Sequence, residues 1–155
     1  WPLIHQESFT GYGPDPWRNL DIKPAAIGEP FPHRDAWNDP SGEPIWDQSR
    51  ESEVGYEEEF WQRSHAWDDV YFRPGLVNGA IPLHDHGCAR YSWLVVNGPL
   101  SGRVWFDSRV DRLGLYPITN TDGIRVGFLD WMLLRVDASR RRLRRELARF
   151  PFYDP

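Results

Sequence analysis

The chain has one cysteine, Cys88, so no internal disulfide can form and no thiolate zinc knuckle can be built. That usage fits a reducing compartment, and a cytoplasmic location is expected. No apolar run reaches the ~18 residues of a membrane helix, and no signal peptide is visible. The first residue is Trp1 rather than Met, which leaves room for a targeting segment upstream. Positive charge is scarce over most of the length. Residues 1–134 hold 11 Lys and Arg against 20 acids, a local −9, whereas residues 135–155 hold 7 Arg against 3 acids, a local +4. An acidic body disfavours nucleic acid as a partner and favours a basic one. Internal repeats and low-complexity tracts are absent.

Catalytic signatures are missing too. There is no Gly-x-Ser-x-Gly elbow and no glycine loop of the kind that cradles phosphate. Asp107 and Asp111 adjoin a strand end, but a chain with 23 acids brings carboxylates together by chance. His84-Asp85-His86 is the one metal-like pattern. Residues two apart on a strand share a face, so both imidazoles could reach one ion in a metal-dependent enzyme. Further ligands at a known spacing are lacking. His84 and Asp85 are better read as bracketing a turn at Gly87, with Cys88 a small buried hydrophobe. No cofactor and no enzymatic activity are expected.

Aromatic rings are abundant: 15% of residues, with 9 Trp. Each buried ring removes about 150–250 Å² from water, which at ~25 cal/mol per Å² is an upper bound of roughly 4–6 kcal/mol. Most of the tryptophans are therefore expected in a core. Residues 90–97 and 102–107 read as two strands, joined through the turn formers Asn97, Gly98, Pro99, Ser101 and Gly102. The run Trp93-Leu94-Val95-Val96 is nearly continuously apolar, as in a central strand buried on both faces. Val104 and Phe106 should face one way, Arg103 and Trp105 the other.

Residues 1–50 are broken by Pro and Gly. They read as an irregular layer over the sheet, pinned by Trp17, Phe31, Trp37 and Trp46. Residues 49–69 are acidic and read as a loop or short helix, with Gly55 interrupting its front. Residues 70–75 suggest a short strand, 114–118 a further strand and 120–123 a turn. Residues 128–150 read as a helix with Leu129, Met132, Leu133, Val136, Leu143 and Leu147 on its apolar face. Asp130 suits its positive end and Arg140, Arg141, Arg144 and Arg145 its negative end. Pro151 stops it. The fold class is α+β: an antiparallel twisted sheet, a long C-terminal helix packed on it, and a loop-rich N-terminal half, in one domain.

One pattern exceeds composition. Ile81-Pro82-Leu83, Gly87-Cys88, Tyr91-Ser92-Trp93-Leu94-Val95-Val96, Gly98, Gly102, Val104-Trp105-Phe106-Asp107 and Phe128-Leu129-Asp130-Trp131 together resemble the SUKH superfamily. Arg109, Asp111, Gly114 and Pro117 supply the middle of the pattern, and Trp1-Pro2-Leu3 is similar to the family's opening segment. That superfamily includes fungal cell-wall-assembly regulators and many bacterial immunity proteins. The chain departs from it in lacking the N-terminal helix and glycine-rich turn, and residues 10–75 do not align. The resemblance implies a single domain over 1–155. It also implies structural roles for Pro82, Gly87, Cys88, Trp93, Gly98, Gly102, Trp105, Asp107 and Trp131. Bacterial members bind and neutralise a cognate toxin, often a nuclease, so a basic toxin domain is the implied partner. Glu51, Glu53, Glu57, Glu58, Glu59, Asp68 and Asp69 would steer it, and Tyr56, Trp61 and Trp67 would supply contact energy. The alternative is a standalone regulatory or scaffold module.

Overall fold

The computed structural model describes residues 26–149. Trp1-Pro2-Leu3, Trp17, Phe150 and Pro151 lie outside the described residues. The centre is a four-stranded antiparallel sheet with strands in sequence order. Its strands are β1 (Ala80–Gly87), β2 (Arg90–Val95), β3 (Val104–Ser108) and β4 (Gly114–Pro117). Two α-helices flank it in sequence: α1 (Tyr56–Tyr71) and α2 (Phe128–Leu147). This is the expected α+β class.

β2 and β3 carry the centre. Trp93 lies opposite Trp105, Leu94 opposite Val104 and Ser92 opposite Phe106. The period of two then divides their side chains between two cores. On one face Trp93, Val95, Trp105 and Leu115 join Phe31, Leu76, Val77 and Ala80. On the other, Val104 joins Val126 and Trp131, with Leu83, Leu94 and Ile118 beside them. β2 is thus an inner strand with apolar contacts on both faces, as its sequence indicates. Val104 and Trp105 also diverge as expected.

Over residues 26–50 the expected irregular layer is present, with one correction. Phe31 enters the main core, and Trp37 exchanges backbone hydrogen bonds with Leu115 (2.7 and 2.8 Å). Trp46 instead packs on α1, its ring 4.9 Å from Tyr56 and 5.0 Å from Phe60.

Three other expectations are corrected. First, residues 70–75 are not a strand: Val70 and Tyr71 close α1, and Pro74–Val77 form a 3-10 turn. Tyr56, Phe60, Trp67 and Tyr71 recur at helical spacing, and this overrides the β-propensity of Val70-Tyr71-Phe72. Gly55 is the N-cap of this 16-residue helix rather than a break in it. Secondly, Cys88 is exposed, not buried. It forms a two-residue turn with Ala89, both at positive φ (52° and 56°), between Gly87 and Arg90, which pair as the last rung of β1 and β2. Thirdly, the apolar residues of α2 do not face the sheet. Trp131 does, near the start of the helix, while Leu129, Met132, Leu133, Val136 and Leu143 are exposed. None of the described helices is long and apolar enough to cross a membrane.

Candidate protein-binding face

α1 begins with Glu57, Glu58 and Glu59 in its first turn, where carboxylates meet unpaired N–H groups and the positive end of the helix dipole. Its inner side is aromatic. Tyr56 is buried, and its hydroxyl oxygen accepts a hydrogen bond from the Asp47 N–H of the loop before it (2.5 Å). Tyr71 is buried at the far end and its hydroxyl donates to Asn38 Oδ1 (2.6 Å).

The sequence-derived contact residues divide between the two sides. Glu58, Trp61 and Asp69 share an outer arc with Glu57 at its edge, at about 100° per residue. Trp61 is 49% exposed, its indole N–H reaching Glu57 Oε1 at 3.4 Å. Glu58 accepts from Gln62 at 2.9 Å. Among the described residues no ion pair engages Glu57, Glu58 or Asp69, nor Glu51 in the preceding loop. Glu53 and Glu59 differ, because Arg50 holds both, at 2.9 and 3.2 Å.

Trp67 turns toward the 38–43 loop, and Asp68 is half-buried at the edge of the helix with one carboxylate oxygen covered. Trp67 stacks on Tyr71 with centroids 4.5 Å apart, and its indole N–H donates to the Ser41 carbonyl at 3.0 Å. The Arg112 guanidinium lies over the Trp67 ring, 4.5 Å from its centroid, and pairs with Glu43 at 2.6 Å. Burial raises the Asp68 carboxyl above its usual range, and nearby Arg112 opposes that rise. Asp68 Oδ1 and Arg112 Nη1 are both buried without a hydrogen-bond partner. Trp67 therefore fastens the 38–43 loop to α1.

The histidine pair does not converge. The rings of His84 and His86 meet edge-on, 4.5 Å apart at 89°. Arg135 can only donate, so its 2.6 Å contact makes His84 Nε2 an acceptor on a neutral ring. His86 Nε2 is engaged by Ser92 Oγ at 2.8 Å. Burial first, and Arg135 as well, hold both imidazoles below their ordinary value of 6.5. Among the described residues no group of three or more His, Cys, Asp and Glu side chains is placed to hold a metal ion. Asp85 does cap the following turn, accepting from the Gly87 N–H at 2.7 Å.

The remaining pattern residues hold the framework. Pro82 lies opposite Trp93 across the first hairpin, and Gly87 pairs with Arg90 beside the Cys88 turn. Gly98 and Gly102 take positive φ (108° and 85°) in the second hairpin loop. Trp105 is fully buried, with its indole N–H unpartnered. Asp107 accepts from Trp93 Nε1 at 3.3 Å and from Arg109 at 2.9 and 2.7 Å. Sequence reasoning missed that Arg109 is buried, because an arginine in a charged turn carries no mark of burial. Asp111 pairs outward with Arg90 at 2.6 Å, and this hydrogen bond, with one from Ser108, lowers its carboxyl pKa to about 2.

No family model, curated protein or solved structure matches this chain.

Proposed function

We propose that the chain is a non-enzymatic binding domain of the immunity kind, which sequesters a basic, nuclease-type toxin domain in the cytoplasm through the outer side of α1. One observation carries this: Trp61, 49% exposed, touches Glu57 and shares the outer arc of α1 with Glu58 and Asp69, and none of these three acids is paired with a cation among the described residues. A large exposed ring within uncompensated like charge suits recognition of an oppositely charged surface. Nuclease clefts are basic because they hold phosphates. An acidic face would raise the encounter rate with one by about 10–10³-fold at low salt. The SUKH resemblance of residues 79–131 supports the same reading, and the α+β sheet is compatible with it.

The test is to look for a basic, nuclease-type toxin gene next to that of this chain and to titrate the chain with its product; a neighbourhood without such a gene would count against the proposal. Combined Glu57→Gln, Glu58→Gln and Asp69→Asn should slow association at least about tenfold at low salt, with a smaller effect at high salt. Trp61→Ala should accelerate dissociation. Unchanged rates in both variants would remove this face as the binding site.

A further inference from the structure

α2 carries a second surface of different chemistry. Leu129, Leu133, Val136, Arg140, Leu143 and Leu147 follow one another at alternating steps of four and three. That is a heptad seam, with Leu133, Arg140 and Leu147 at a positions and Leu129, Val136 and Leu143 at d positions. At about 100° per residue the seam lies on the opposite side of the helix from Trp131. Trp131 is buried against Val104 and Val126, and Arg135, next to it on the helix surface, reaches His84. The sheet therefore holds the back of the helix and leaves the seam outside. Leu129 is 75% exposed, Leu133 64% and Leu143 56%.

We infer that α2 pairs in antiparallel fashion with α2 of a second copy of this chain. The charge pattern selects both orientation and partner. In a parallel pair Arg140 would face its own counterpart in the seam, and the arginines at 140–145 would lie beside their equals. In the antiparallel pair the seam is self-complementary about residue 138. Leu129 then lies against Leu147 of the other copy, Leu133 against Leu143, and Val136 against Arg140. Asp130 at the N-terminal end meets Arg144 of the other copy. The Arg140 stem covers Val136, and its guanidinium reaches toward Asp137 of the other copy. The arginine-rich half of each helix is thus set against the half that holds Asp130 and Asp137. Fewer than three heptads and one seam arginine make this a weak dimer, with dissociation in about the micromolar range or above. The surface is separate from the outer side of α1, so either can fail without the other.

The test is sedimentation equilibrium of the whole chain from micromolar to millimolar concentration, with near-ultraviolet tryptophan signals as the check on folding. A monomer–dimer equilibrium is expected. Leu133→Glu with Leu143→Glu should weaken it at least about 100-fold, and Arg140→Leu should tighten it about tenfold. In a Cys88→Ser background, Leu133→Cys mixed with Leu143→Cys should form a disulfide-linked pair, while Leu133→Cys alone should not. Four outcomes would overturn the proposal. They are a folded chain that stays monomeric at every concentration, including Arg140→Leu; a dimer indifferent to the two glutamates; Leu133→Cys linking readily to itself; and a monomer whose Leu133 is covered by another part of the same chain.

Discussion

Asp107 and Arg109 are a buried ion pair whose side chains are 4% and 8% exposed. Moving two such charges from water costs several kcal/mol each, offset only by close geometry and full hydrogen bonding. Here Arg109 contacts both carboxylate oxygens and also the Tyr71 carbonyl (3.4 Å), while Trp93 donates to the same carboxylate. Asp107→Asn would strand a buried guanidinium and should destabilise the fold by about 3–5 kcal/mol, read from the urea midpoint by tryptophan fluorescence. Arg109→Met together with Asp107→Leu should cost less than the two single changes summed. His33 is the second residue on which stability turns. Its Nε2–H donates to the Leu76 carbonyl at 2.9 Å, and its ring lies against Phe31, Trp37 and Trp105. Burial, and to a lesser degree Arg109 and Arg73, hold its pKa below 6.5, although the Leu76 bond opposes this. The unfolded chain then takes up a proton near pH 6.5 that the folded chain refuses until lower pH. Stability should be complete above that value and fall as pH drops through it, and His33→Gln should flatten the slope in thermal melts from pH 7 to 5.

At the scale of elements, turns and crossings show the largest stored costs. The β1–β2 turn places Cys88 and Ala89 at positive φ, where a Cβ costs roughly 1–2 kcal/mol per residue. Asn-Gly suits that conformation far better. Cys88→Asn with Ala89→Gly should therefore raise stability by about 1–2 kcal/mol, measured by denaturant unfolding. Gly114 is the opposite case. It has φ 77°, and an added Cβ would strike the Trp37 carbonyl oxygen and come 2.7 Å from Asn38 Cβ. Gly114→Ala should cost about 1–3 kcal/mol and loosen the 37–115 bridge, visible as faster amide exchange at Leu115. Of the first hairpin the sequence showed the turn at Gly87 but neither the full strand before it nor the exposed Cys88-Ala89 corner, because neither of those two residues advertises left-handed backbone. The second, with Gly98 and Gly102 in its loop, was legible. α1 was obscured because its amphipathic stripe is aromatic and its last turn is made of residues that favour strands.

The whole molecule separates its charges and its apolar surfaces. Acids gather on the outer side of α1, arginines along the exposed end of α2, and rings close both faces of the sheet. Trp61 and Trp67, alike in sequence, should respond differently. Trp67→Ala should lower the melting temperature by several degrees because it unpins the 38–43 loop, whereas Trp61→Ala should leave it within about a degree. The tryptophan-rich centre, the alternation of Val104 and Trp105 and the start of α2 at Phe128 were determined by the sequence alone, whereas the helix ends at Leu147, three residues before the expected Phe150. These follow from periods of 2.0 and 3.6, which are local properties of the chain. What lies against each face was decided only by the tertiary structure. Periodicity shows that Leu133 and Leu143 share a side of α2 but not whether the sheet covers that side, because Trp131 on the opposite face is an equally good anchor. The same holds for Arg109 and Trp67, since burial depends on residues distant in sequence that only the folded chain brings near.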